Sequence, residues 1–136
     1  MSSTSINEIR KRVATVLREF PDVQAVFLFG SMAEGRATPG SDVDLAIITA
    51  NPHLRAQRLD LLTALTAAGM DNVDLIFPDG RDVVLRYESI RQNCLVYARD
   101  NFDRGACYAR ALREYLDFLP YLEIQRQAFK RRLLNA

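Results

Sequence analysis

The sequence predicts an α/β (α+β) domain: a small mixed β-sheet covered by helices, with a C-terminal helical segment. Three observations predict it. Helical and extended patterns alternate over the first hundred residues. The extended runs are short, apolar and rich in β-branched and aromatic residues. The 136 residues contain no repeat, low-complexity tract or linker, so a single domain, 1–136, is expected, with a core over 1–99 and helices over 100–136.

The elements follow in order. Ser5-Ile6-Asn7-Glu8 fits a capping box, in which the Ser5 hydroxyl and the Glu8 carboxylate satisfy each other's backbone amides. Ile6, Ile9, Val13, Val16, Leu17 and Phe20 then recur at helical spacing, and Pro21-Asp22 stops the helix. Val23 to Phe29 reads as a buried strand that Gly30-Ser31 breaks, and Met32 to Glu34 as a short helical turn beginning at Ser31. Turn formers fill 38–41, and Asp42 to Ile48 is the second strand, with Val43, Leu45 and Ile47 on one face. Leu54, Arg58, Leu61, Leu62 and Leu65 mark a helix ending near Gly69. Val73 to Phe77 is a third strand, Val83 to Gln92 a helix, and Cys94 to Ala98 a short fourth strand. The helical pattern resumes from Asp100 or Asn101, either of which suits an N-cap. Pro120 is expected to kink or split that helix, because it lacks an amide and crowds the preceding turn.

Bulk composition excludes several classes. With 18 basic and 17 acidic residues the net charge is +1, which leaves no electrostatic footprint for direct nucleic-acid binding. No apolar run approaches the roughly 20 residues that span a bilayer, so no membrane partner is expected. Met1 to Ser5 lacks the basic start and apolar stretch of a secretory leader, so a cytoplasmic protein with Cys94 and Cys107 reduced is expected. The lone histidine, His53, lies in a loop and receives no role.

The chemistry concentrates in three places. Asp42 and Asp44 alternate with an apolar residue, so both carboxylates point the same way, roughly 6–7 Å apart along the strand. Carboxylates that close repel one another and call for a positive counter-charge. A divalent cation carrying a nucleoside triphosphate answers that need, because Mg²⁺ takes a few carboxylates together with phosphate oxygens. Asp74 faces away from Val73, Leu75 and Phe77 and joins the pair if the second and third strands are neighbours. Three carboxylates suit two Mg²⁺ ions, one on the triphosphate and leaving oxygen, the other on the attacking hydroxyl, with Asp74 expected to bind the second ion or to act as base toward the attacking group. Gly30 allows a sharp turn and close approach of amides, Ser31 adds a hydroxyl at a helix start, and Arg36 is within reach of a phosphate.

The stretch from Gly30-Ser31 to Asp42-Val43-Asp44, with ten residues between, resembles the GS-x10-DxD signature of DNA polymerase β-like nucleotidyltransferases. Chain length and the Val73-Asp74-Leu75-Ile76 strand resemble the minimal nucleotidyltransferases, in particular those paired with HEPN ribonuclease toxins. The resemblance implies the polymerase β-like fold, ATP as substrate and Mg²⁺ as cofactor. It carries phosphate binding to Gly30 and Ser31 and metal binding to Asp42, Asp44 and Asp74. It further implies an antitoxin that transfers AMP to a tyrosine of a partner HEPN toxin and silences it. One departure concerns charge: Met32 and Glu34 stand where many relatives carry arginine or lysine, and Arg36 is the expected compensation.

Two alternatives remain open on the sequence. One is nucleotidyl transfer to a small molecule such as an aminoglycoside, which needs a deep acceptor pocket beside the acids. The other is a binding antitoxin that masks its partner without chemistry.

Overall fold

The computed structural model describes residues 5–30, 32–35, 42–78 and 80–135. The elements run α1 (Ile6–Leu17), β1 (Val23–Phe29), β2 (Val43–Thr49), a 3₁₀ segment (Pro52–Gln57) leading into α2 (Arg58–Ala67), β3 (Val73–Ile76), α3 (Val83–Ile90), β4 (Cys94–Ala98) and α4 (Arg104–Leu134). The four strands form one mixed sheet in the order β3-β2-β1-β4. β1 is antiparallel to β2 and to β4, whereas β2 and β3 are parallel. A parallel pair needs a crossover, which the 3₁₀ segment and α2 supply.

Both sheet faces are covered. Val26, Leu28, Leu45, Ile47 and Leu75 pack with Ile9, Val13 and Leu17 of α1 and Leu61 and Leu65 of α2. On the opposite face Ala25, Phe27 and Ala46 meet Ile90 of α3 and Ala111 of α4, with Phe102 edge-on to Phe27. The period-2 pattern of β1 and β2 therefore separates two cores rather than a core and a solvent face. Tyr87 of α3 stacks on Tyr115 of α4, rings 4.3 Å apart.

Local signals explain most boundaries. Ser5 Oγ accepts from the Glu8 amide, as its capping position predicts, and the Glu8 carboxylate reaches Arg12. The Gly69 and Met70 amides bond back to Thr66 and Leu65 and close α2, with Met70 and Leu65 both buried. β3 lies at the sheet edge, where its Leu75 and Phe77 carbonyls accept from Arg58 and Arg55.

At 32–35 the expected helical turn is a single one: the Glu34 amide bonds to the Gly30 carbonyl four residues back, the Gly35 amide to that of Met32, and the progression ends there; Ser31, its expected start, lies outside the described residues. Two expectations are corrected. The N-cap of α4 is Asp103, not Asp100 or Asn101, because its carboxylate is the one that reaches the third amide of the helix, at Ala106. Pro120 does not split α4, which runs on to Leu134 with the proline inside it; the turns on either side hold despite the lost amide bond and the crowding of the preceding turn. From Glu123 to Asn135 every residue is exposed. Among the described residues, no helix is long and apolar enough to cross a membrane.

The cap correction is measurable. Asp103→Ala is expected to lower stability by about 1 kcal/mol in urea unfolding, whereas Asp100→Ala stays within about 0.5 kcal/mol of the parent. Equal losses at both positions would contradict the assignment.

Candidate active site

The sheet register assembles the acidic cluster. Phe29 of β1 is paired with Asp44 of β2, and Asp44 with Asp74 of β3. Paired positions share a face, so these three residues make one row across three strands. The neighbouring row, Leu28, Leu45 and Leu75, points into the core under α1 and α2. Burial of Val43, Leu45 and Ile47 thus turns Asp44 to the α3–α4 face, and burial of Leu75 and Phe77 does the same for Asp74. Asp42 is exposed and stands one residue ahead of β2, which begins at Val43.

Electrostatics report the proximity of the three acids. Burial pushes the Asp44 carboxyl above the ordinary carboxylate range, and the charges of Asp74 and then Asp42 raise it further. This oxygen-only, mutually repelling set fits a hard divalent cation such as Mg²⁺. Asp74 already has a partner, since Arg58 Nη2 lies 3.1 Å from its Oδ1 and the same guanidinium donates to the Leu75 carbonyl. As the side chains stand, no group of three acidic, histidine or cysteine residues among those described is drawn together tightly enough to hold an ion.

Gly30 ends β1 beside this cluster. Its φ is +77°, and a Cβ placed there would lie 2.5 Å from Asp44 Oδ2. Only a residue without a side chain fits the turn against that carboxylate. The Gly30 amide donates to Gln92 Oε1 at 3.1 Å, so this amide is already engaged. Glu34, the acidic residue four places on, is paired with Arg91 Nη2 at 3.2 Å. The charge that looked adverse in the sequence is therefore met by a residue of the α3 end. Ser31 and Arg36, both expected to bind phosphate, lie outside the described residues.

The structure brings Gly30, Asp44 and Asp74 together, with Asp42 electrostatically coupled to them. Sequence reasoning missed Arg58, Arg91 and Gln92. No spacing signal could have found them, since Gln92 reaches Gly30 across 62 positions and Arg91 reaches Glu34 across 57.

Known proteins bear out the site's fold. The chain resembles a crystallised toxin–antitoxin solved with AMP-PNP, with TM-score 0.71, 24% identity and coverage of 92% of this chain and 98% of that one. A tri-AMPylated Shewanella oneidensis HEPN toxin in complex with its MNT antitoxin gives TM-score 0.65 and 22% identity over 92% of this chain and 95% of that one. At such identities the likeness is one of fold. In sequence, the protein adenylyltransferase MntA of Shewanella oneidensis is 29% identical over 82 residues, spanning 60% of this chain but only 59% of that protein. The family profile described as polymerase beta, nucleotidyltransferase matches residues 11–102, a span that holds the Gly30 turn and all three aspartates. A sheet that lines up its acids beside a glycine turn, and a sequence that matches over the same stretch, make this chain a member of the polymerase beta nucleotidyltransferase family.

Proposed function

We propose that the protein is an antitoxin that transfers AMP from ATP to a tyrosine hydroxyl of a partner HEPN ribonuclease. The observation that carries this reading is the in-register pairing of Asp44 with Asp74 on parallel strands, with Gly30 pressed against Asp44. Family membership and the likeness to MntA and to toxin–antitoxin structures point the same way.

Asp42 and Asp44 would hold Mg²⁺, which would supply charge neutralisation at the triphosphate, and Asp74 would serve as the base toward the attacking hydroxyl. The chain's own residues do the remainder. Gly30 gives the turn room to lie on Asp44. The tyrosine oxygen attacks the α-phosphorus as the bond from that phosphorus to the bridging oxygen breaks. Pyrophosphate leaves, and the hydroxyl proton passes to Asp74. Arg58, at 3.1 Å from Asp74, holds that carboxylate in place. Transfer of this kind depends on positioning and on charge stabilisation, which a rigid sheet edge provides.

A macromolecular acceptor suits the geometry. A cavity of about 400 Å³ under α3 and α4 is lined by Ile48, Thr49, Phe102 and Cys107 at the opposite end of β2, and a second of about 300 Å³ lies along β3 against Arg55, Arg58 and Leu75; neither is lined by any of the three aspartates. The test is mass spectrometry of the partner toxin after incubation with this protein, ATP and Mg²⁺. One or more additions of AMP on tyrosine are expected, and none with Asp42→Asn/Asp44→Asn. A toxin neutralised without any mass shift would establish masking instead.

A further inference from the structure

The residue pair after α3 grips the glycine turn at both ends. Arg91 pairs with Glu34, and the next side chain, Gln92, accepts from the Gly30 amide through Oε1 at 3.1 Å. Gln92 is itself held by its surroundings. Asn93 takes a left-handed conformation (φ +53°), its amide bonds to the Ile90 carbonyl at 2.7 Å, and Arg104 of α4 donates to its Oδ1 at 2.8 Å and to its carbonyl. A surface glutamine needs no such anchoring.

The second observation concerns the other end of the amide. Gln92 Nε2 is buried and, among the described residues, has no hydrogen-bond partner. A buried donor left unmatched costs free energy, and such a group in a native structure calls for an explanation, of which a bound ligand is one. The oxygen and nitrogen of one amide share a carbon, which puts Nε2 within about 6 Å of the Gly30 nitrogen. It therefore lies at the turn that abuts Asp44, where an acceptor rich in anionic oxygens would approach.

We propose that Gln92 binds and positions the nucleotide. Its Oε1 fixes the Gly30 amide so that the turn rests on Asp44, and its Nε2 donates to a phosphate oxygen of a nucleoside triphosphate. This inference rests on the nucleotidyl-transfer reading above and assigns a donor that the sequence motif does not contain.

The test uses the intact chain, Mg²⁺ and the β,γ-imido analogue of ATP, titrated calorimetrically, together with thermal melts without nucleotide. Gln92→Leu removes both functions, and is expected to melt lower and to bind at least about tenfold more weakly, as loss of a hydrogen bond to a charged group does. Gln92→Glu keeps the acceptor for Gly30 but loses the donor and adds a charge that phosphate repels. It is expected to melt above Gln92→Leu, though below the parent because it buries a charge, and to bind at least about tenfold more weakly. Asn93→Asp adds the same charge one residue on, with its oxygen still accepting from Arg104, and controls for repulsion; a role confined to holding the turn would leave Gln92→Glu binding within twofold of Asn93→Asp, and that result overturns the proposal. If Gln92→Leu does not fold, Gln92→Glu alone decides. A parent protein that binds no analogue removes the nucleotidyl-transfer reading itself, whereas a binding parent with an unaffected Gln92→Glu removes only this inference.

Discussion

Asp44→Asn is expected to reduce AMP transfer by about 10³-fold, the scale seen when a positioned charge-stabilising group is lost, while melting no lower than the parent at pH 8. The two halves of that result have one cause. Asp44 stands between Phe29 and Asp74 in the row across the sheet, where burial and two like charges oppose its ionised form. Asparagine keeps the shape and removes the charge, so it sheds the repulsion together with the capacity to ligate metal.

The pH dependence follows with a definite sign. The folded-state pKa of Asp44 is raised, so between the ordinary carboxylate value and the raised one the folded chain binds the proton more tightly than the unfolded chain. Stability from this group therefore falls as pH rises through that window, and above it the ionised carboxylate is a cost. In metal-free buffer the parent should gain stability on acidification through the window relative to Asp44→Asn, and the gap between the two should be largest above it. Melts at pH 4 to 8 in EDTA, with transfer followed by mass spectrometry, check both parts. A variant that transfers within tenfold of the parent, or that melts lower at pH 8, would contradict the assignment.

Gly30→Ala is the second large effect, and here stability and activity fall together. A left-handed alanine costs about 1–2 kcal/mol in backbone energy alone. The added methyl would stand 2.5 Å from Asp44 Oδ2, so the carboxylate or the turn must move. A displacement of about 1 Å at a reacting centre costs about 10² in rate, and transfer should drop by at least that much. Gly35 provides the control. Its φ is +74°, yet among the described residues a Cβ there meets nothing within 4 Å. Gly35→Ala should therefore show the backbone cost without the clash, losing about 1–2 kcal/mol and keeping most of its activity. Chemical denaturation and initial transfer rates distinguish the two variants. Equal activity losses would mean that backbone strain, and not contact with Asp44, explains the effect at Gly30.

Much of this site is legible in the sequence because it depends on short-range order. Period-2 burial orients Asp44 and Asp74, since Val43, Leu45, Leu75 and Phe77 must go inward. The capping serine of α1, the break at Gly30 and the end of α2 near Gly69 are set by neighbours within about one turn. The misreading at the start of α4 is also local. Several residues there could cap the helix, and the choice turned on which carboxylate reached an open amide.

By itself, then, the sequence determined the order of elements, the face each strand buries and the kinship of the Gly30–Asp44 stretch. Only the tertiary structure decided that β3 pairs with β2, and hence that Asp74 stands beside Asp44. It alone brought Arg58 to Asp74, Arg91 to Glu34 and Gln92 to Gly30. The physical reason is that periodicity records whether a side chain leaves water, not which distant segment it meets. Strand partners and cross-chain hydrogen bonds are selected by packing of the whole sheet and its helices, and a residue's own neighbours in sequence carry no trace of that choice.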